Sequence, residues 1–594
     1  MPLLLGILTG LAALTAACGR FPHLMGGAPV VALGLFLIGA GALAVTRRSV
    51  TRNMTPVLLL AGVLALYLGN GRLNSSGDNQ GIRALPAAIV AHHGLDISGI
   101  TPFTMEPLHY SGIRRGQVIL PSFPLGTSFL AVPFYAVFAD ATDGRALISR
   151  LDEIEKVAAA GLVVLALLFL FLGLRSRFGP RAAFLGTACV ALASPIASTA
   201  AQGLWSSTGA LFLLCAGLGI LLRRSHSSSL LFIAGALFGL SAFARPTAVL
   251  PALAFGAVLL ARRPRIEAAA ASLGFACGLL ICGALNLLLL GHPFGPYFAM
   301  NRAPRSWTTD VLPGALGSLL SPSRGLLVWC PWILAGAALL VLARGPRLRG
   351  FAAAALASVI PTWLLIAGYR KWWGGECIGP RLFLEAMPFL AVLVCGVVAQ
   401  RGRPFLKSAL GALVLLSGGT HILATYRPAA GLWSGMVDVD SNTRACWSLT
   451  DSQLAATWLP RWSPSDIRGR GFIGNRRRDN GLSGSIDQPA PGQAVSGRLV
   501  IRGWARIAGD DLEILAELDA SEARAQSSVR RFPRPDVCAA FPALGNCDAA
   551  GWEIDFGSPR PNQRGDVSVH AVFRSKDGRF RRYPSVTFVW KPDA

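Results

Sequence analysis

The sequence predicts an α-helical polytopic membrane protein of about 13 spans with an all-β sandwich domain at its C-terminus. Three observations carry that prediction. The 594 residues are 53% hydrophobic and 14% charged, with a mean hydropathy of +0.50, whereas soluble chains carry about 25% charged residues. Apolar runs long enough to cross a bilayer recur as far as Tyr426, a spanning helix needing roughly 20 apolar residues. Beyond Gly481 the apolar period falls from helical to two, the signature of half-buried strands.

The candidate spans are 2–18, 28–46, 54–70, 156–174, 182–200, 205–222, 229–244, 246–261, 268–290, 326–343, 351–368, 382–400 and 408–425. The first has the look of a signal peptide but no positively charged opening, and is read as a retained span. Basic residues outnumber acidic ones 55 to 31, for a formal charge of +24. The excess is mostly Arg in short clusters between spans, which fits topology signals and anionic-lipid contact. Nucleic acid is not an expected partner, because no basic, aromatic-interleaved soluble module is present.

The clusters follow alternate spans: Arg47/Arg48/Arg52, Arg175/Arg177/Arg181, Arg223/Arg224, Arg262/Arg263/Arg265, Arg344/Arg347/Arg349 and Arg401/Arg403/Lys407. If these loops are cytoplasmic, the N-terminus is inside and the C-terminal domain outside. The loop 71–155, the turn Ala244–Thr247, and the connections 291–325 and 369–381 then share the outer face. Within 71–155, residues 79–93 read as an amphipathic helix broken or started near Pro86. The Pro-punctuated stretch 121–138 reads as an interfacial or re-entrant segment. Acids in Leu151–Lys156 close the loop.

Residues 426–480 read as a polar periplasmic linker. The alternating runs 498–505, 512–518, 566–573 and 585–590 place a β-sandwich at 481–594. Seven of eleven cysteines fall in or at the ends of apolar runs, where a small buried hydrophobe is the ordinary role. Cys538 and Cys547 are expected to form a disulfide in an oxidising compartment.

Acids are scarce, which narrows the candidates for chemistry. Between Lys156 and Gly375 the only carboxylates are Glu267 and Asp310. A proton- or sodium-coupled transporter is expected to bury ionisable groups at mid-membrane, so this scarcity argues against one. Asp78, in Ser75-Ser76-Gly77-Asp78-Asn79-Gln80, is the leading candidate for a general base or metal ligand; a helix cap is its competing structural role. Asp96 and Glu106 are the second acids of the same loop, with a turn and a solvated side chain as the plain alternatives. Arg83, His92, His93, Arg245, Arg324, Lys371, Trp373 and Arg381 are candidates for holding a phosphate or sugar. Lipid headgroup contact or an aromatic belt is the plainer role for several of them.

With those residues in view, the chain resembles integral-membrane GT-C glycosyltransferases, of the bacterial type related to protein O-mannosyltransferases and lipid A aminoarabinose transferases. The matching features are Ser76-Gly77-Asp78, His93-Gly94-Leu95-Asp96-Ile97, Pro124-Leu125-Gly126-Thr127-Ser128 with Pro133, Gln202-Gly203-Leu204-Trp205-Ser206 and Ala244-Arg245-Pro246-Thr247. Ser321–Leu327, Trp372-Trp373-Gly374-Gly375 and Gly379-Pro380-Arg381 complete the set. The resemblance covers residues 54–425, leaving 1–53 as extra N-terminal helices. It implies a bacterial inner-membrane enzyme that moves a sugar from a polyprenyl-phosphate donor to a glycan, lipid or protein acceptor at the outer face. It also implies an essential acid in the first large outer loop, the position of Asp78. Relatives often carry a second acid next to it; Asn79 stands there, so no cofactor is assigned and a divalent metal stays open. The C-terminal domain resembles small Ig-like sandwiches through Gly503-Trp504-Ala505, Arg534-Pro535-Asp536-Val537 and Gly551-Trp552. That implies acceptor or partner contact, a lid, or a structural appendage. The rival readings are a glycan polymerase or ligase of the O-antigen type, whose large loop comes late in the chain, and a lipid or glycan transporter.

Overall fold

The computed structural model describes residues 28–46, 54–92, 94–100, 103, 108–138, 147–148, 150–224, 227–261, 263–301, 306–437, 439–440 and 442–459 of the helical part. In the C-terminal part it describes 483–488, 493–496, 498–506, 512–518, 529–540, 550–557, 565–575, 580–582 and 586–591. The chain divides into two compact units, 1–460 and 461–594. The candidate span 2–18 lies outside the described residues.

The first unit is helical. In chain order it contains α1 (Ala28–Thr46), α2 (Thr55–Leu68), α3 (Asn79–His92), the hairpin β1 (Gly112–Arg115) and β2 (Val118–Pro121), α4 (Gly126–Phe138), α5 (Leu151–Phe178) and α6 (Pro180–Leu192). There follow α7 (Ser206–Leu221), α8 (Ser228–Ala244), α9 (Val249–Leu260), α10 (Arg265–Leu290), α11 (Gly295–Asn301) and α12 (Leu312–Leu320). Among the described residues five helices are long and apolar enough to cross a membrane: Leu151–Phe178, Arg265–Leu290, Pro346–Ala367, Arg381–Ala399 and Pro404–Tyr426. Several other expected spans are shorter apolar helices, among them α2, α6, α7 and α8.

Proline explains most of the broken spans, because it removes a helical N–H and clashes with the preceding turn. The expected span 326–343 becomes Leu326–Trp329, Trp332–Ala337 and Leu339–Leu342, interrupted at Cys330–Pro331. The 351–368 span is divided between Pro346–Ala357 and Ile360–Ala367, with Pro361 in the first turn of the second piece. Residues 121–138 finish β2 and form α4, which packs on α3, α5 and α7 and buries Tyr135. Helix α3 runs through Pro86 unbroken.

Helices α8 and α10 touch along glycines. A Cβ placed on Gly235, Gly239, Gly274 or Gly278 would overlap a facing carbonyl oxygen, those of Ala271, Phe275, Phe232 and Ala236 respectively. Close backbone approach is how apolar helices gain packing where lipid is as apolar as the side chains. Gly274→Val is therefore expected to cost about 1–3 kcal/mol of stability through overpacking. Thermal unfolding of the purified protein checks this, with Gly283→Ala as a neutral control, since a Cβ there meets only Pro293 at 3.9 Å.

The arginine clusters gather in space. Arg177, near the end of α5, lies in the field of Arg224, Arg263 and Arg347, and Arg263 pairs with Glu267 at 2.8 Å. The stretch of α5 from Glu155 to Arg177 rises about 33 Å at about 1.5 Å per residue, close to the roughly 30 Å of bilayer hydrocarbon. The loop 70–78 meets α5 at its opposite end, through a 3.0 Å bond from Ser75 to Glu155.

Residues 427–459 correct the linker reading, because they belong to the first unit. They form Pro428–Met436, a 3-10 turn Thr443–Cys446 and Gln453–Trp458, and bury Trp433, Cys446 and Gln453 completely. Their polarity is satisfied internally rather than by solvent. Gln453 Oε1 accepts from Gly379 N (2.8 Å) and from Arg324 Nη1, while Nε2 donates to Cys377 O (2.9 Å) and Ala430 O (2.8 Å). Gln453→Leu removes all four bonds and is expected to lower stability by about 3 kcal/mol. The unfolding midpoint measures it.

The second unit is β-rich, and the four sequence-predicted runs are strands. They are β5 (Leu499–Arg506), β6 (Leu512–Leu518), β9 (Gly565–Ser575) and β11 (Val586–Lys591), accompanied by β3 (Ser483–Gln488), β4 (Ala494–Ser496), β7 (Arg530–Phe532), β8 (Gly551–Gly557) and β10 (Phe580–Arg582). One sheet is ordered β3-β5-β8-β7; the other is β10-β9-β11-β4, with β6 also on β9. Leu499, Ile501 and Ala505 are fully buried on one face of β5, the period-2 pattern the sequence shows. Cys547 and the side chain of Cys538 fall outside the described residues, as does their expected disulfide.

Candidate functional site

The site is assembled where the loop before α3 meets a turn some three hundred residues later. Asp78 Oδ1 accepts from Tyr110 Oη at 2.9 Å. Asp78 Oδ2 faces Arg381, 3.4 Å from Nη1 and 3.5 Å from Nη2. Ser76 Oγ takes the Asp78 N–H at 3.3 Å, so Ser76 organises the helix start. The Asp78 side chain is 33% exposed, hence reachable, while that of Arg381 is 11% exposed.

Two local features make this meeting possible. A Cβ on Gly77 would overlap the Tyr110 hydroxyl, so only glycine lets the phenol reach the carboxylate. In the second segment Gly374, Gly375 and Gly379 have φ of +75, +68 and +60°, a region that L side chains avoid. The loop thereby turns the Gly374 carbonyl back onto Arg381 Nη2 at 2.7 Å. The guanidinium also lies 4.4 Å above the Trp205 ring, a cation–π contact that holds it flat.

Around this pair stands an aromatic and tyrosine-rich wall. His109 packs on Tyr110 at 4.6 Å between ring centroids, Tyr110 on Phe123 at 6.3 Å, and Phe123 on Tyr297 at 5.3 Å. Tyr369 lies in the combined field of Tyr297, Arg381, Asp78 and Arg245. Partial burial lowers the His109 imidazole below its usual value, with Asp78 opposing.

The other candidates are placed differently. Asp96 is a turn-shaper: its carboxylate accepts from Ser98 N (3.0 Å), Ser98 Oγ (2.8 Å) and Ile119 N (2.9 Å), stapling β2, which corrects its reading as a second acid. Arg83 is engaged by Asp152 at 2.5 Å and Glu155 at 3.3 Å rather than facing a ligand. Arg324 is 2% exposed and bonds Gln453, Gly375 O (3.1 Å) and Ser434 Oγ (2.9 Å), so it pins the 374–379 loop to the 427–459 segment. Arg245 donates to Ser207 Oγ (2.7 Å) and Thr247 Oγ1 (3.1 Å) and pairs with buried Glu385 at 3.3 Å. Lys371 and Trp373 share Asp440, at 2.5 and 2.8 Å. Of the expected cations, Arg381 reaches Asp78 and Arg245 borders the same field. Glu106, His93 and the His92 side chain lie outside the described residues.

Asn79 occupies the place of a second acid, and its buried amide has no hydrogen-bond partner. Among the described residues no three His, Cys, Asp or Glu side chains are grouped as metal ligands. The arrangement offers a solvent-reachable carboxylate, Asp78, oriented by a phenol on one oxygen and a guanidinium on the other, and exposed Glu376 lies in the field of the same phenol.

Sequence reasoning passed over Tyr110 and Trp205, although both lie in stretches it singled out. It also passed over Glu155, and over Glu385 although the candidate span 382–400 contains it. No protein-family model matches the chain, and no curated protein matches it either.

Proposed function

We propose that the chain is a membrane glycosyltransferase that moves a sugar from a polyprenyl-phosphate-linked donor to an acceptor hydroxyl, with Asp78 as general base. The acceptor O–H gives its proton to Asp78 as its oxygen bonds to the anomeric carbon. The bond from that carbon to the phosphate oxygen breaks, and polyprenyl phosphate leaves. Arg381, beside the carboxylate, suits the charge on the departing phosphate. The observation that carries this reading is the meeting of Asp78 and Arg381 beside an aromatic wall that suits sugar rings.

In the same reading the chain lies in a bacterial inner membrane with about 13 spans and a cytoplasmic N-terminus. Its C-terminal unit is an Ig-like sandwich on the outer side, contacting an acceptor or partner. Proteoliposomes supplied with radiolabelled polyprenyl-phosphate hexoses, pentoses and aminosugars test it. Transfer of label with release of polyprenyl phosphate is expected. No transfer from any donor, with lipid-linked sugar moved or bound intact, would favour the transporter.

A further inference from the structure

Glu155 is the buried acid for which the proposed reaction has no direct use. It sits just past the first turn of α5, is 0% exposed, and is bonded to both halves of the candidate site. Its Oε1 accepts from Ser75 Oγ at 3.0 Å, three residues before Asp78, and from Leu204 N at 2.9 Å, next to Trp205. Its Oε2 lies 3.3 Å from Arg83 on α3, the helix that Asp78 precedes. One carboxylate oxygen thus joins the segment carrying Asp78 to the turn carrying the ring on which Arg381 rests.

The same joint is reinforced around Glu155. Asn74 N donates to Gln202 O at 2.8 Å, and Trp205 Nε1 donates to Asn74 O at 3.2 Å. Lys156, 4% exposed, donates to Gln202 Oε1, which also accepts from Asn70 Nδ2 at 2.8 Å. A Cβ on Gly203 would sit 2.7 Å from Asn74 O, so the two segments already touch backbone to backbone. Hydrogen bonds to a charged acceptor are the stronger ones, and a lost partner here leaves a buried donor orphaned.

We propose that Glu155 is the positioning residue of the site: it fixes the distance between Asp78 and the Trp205–Arg381 pair without touching substrate. This rests on the glycosyltransferase reading for its functional part, but the geometric part stands without it. Both site bonds converge on a single oxygen, which separates two substitutions. Glu155→Gln can present its amide oxygen to Ser75 and Leu204, whereas Glu155→Ala can present nothing.

Hydrogen–deuterium exchange on the full-length protein in detergent reads the geometric part. In Glu155→Ala, amides of 71–80 and 202–206 are expected to exchange about tenfold faster, the loss of roughly one such bond, with α10 unchanged. Glu155→Gln is expected to restore most of that protection. Ser75→Ala, which removes one bond only, should speed 71–80 and spare 202–206; it decides the matter if Glu155→Ala does not fold. Unchanged protection in both segments, or an equal rise throughout the protein, overturns the proposal. In the transfer assay, Glu155→Ala should lower kcat by about tenfold or more with donor KM held within about twofold, and Glu155→Gln should recover it. A wild type with no transfer activity but this exchange pattern defeats the glycosyltransferase reading and leaves the positioning role standing. Normal kcat in a Glu155→Ala protein with loosened segments defeats the positioning role alone.

Discussion

Asp78→Asn is expected to lower kcat by about 10²–10⁴-fold, the range for losing a general base, while the protein folds and reconstitutes normally. The amide can still accept from Tyr110, so the loop keeps its outline, but it cannot take a proton at neutral pH. It also releases Arg381 from its partner 3.4 Å away. Donor affinity should stay the same or rise, because the guanidinium becomes free to face a phosphate. Steady-state kinetics with separate donor binding checks both halves, and a loss smaller than about tenfold would remove Asp78 from the chemistry.

Arg381→Lys is expected to lower kcat/KM by about tenfold to a hundredfold, despite the conserved charge. A lysine ammonium has no planar face to lay on Trp205. It cannot bridge Gly374 O, now 2.7 Å from Nη2, and Asp78 in one fixed fork. In a double-mutant cycle, Asp78→Asn with Arg381→Lys should be little worse than Asp78→Asn alone if the two act as a unit. Full additivity would mean that Arg381 serves another part of the reaction.

How far the sequence foretold the molecule depends on what kind of signal each feature leaves. Asp78 was legible because acids are so rare in the apolar two thirds of the chain, and Arg381 because it ends a Gly-Pro-Arg turn after paired tryptophans. The arginine clusters were legible because charge beside apolar runs is a local pattern, and Arg177 does lie in the field of Arg224, Arg263 and Arg347. The strands β5, β6, β9 and β11 were legible from period-2 alternation.

What escaped was polarity satisfied inside the fold. Gln453 sits in a polar stretch that reads as a solvated linker, yet four bonds from its side chain bury it at 0% exposure. Arg83, Arg324 and Arg245 read as ligand cations because a sequence does not display partners that lie far from them along the chain, such as Asp152, Gln453 and Glu385. Glu155 was hidden in a run of acids that ends the loop; the helical period at the start of α5 turns it inward while Asp152 and Glu153 stay outside. Span ends escaped too, since Pro331 leaves hydropathy intact while interrupting the helix beneath it.

The most direct measurement follows radiolabelled sugar from a polyprenyl-phosphate donor in proteoliposomes of wild type and Asp78→Asn, matched for protein content, with donor binding read on the same samples. Binding by both proteins, with label reaching the acceptor and polyprenyl phosphate released by wild type alone, is the expected result. Equal transfer by both, or wild type that binds or moves the lipid-linked sugar without breaking its bond to phosphate, would contradict catalysis at Asp78.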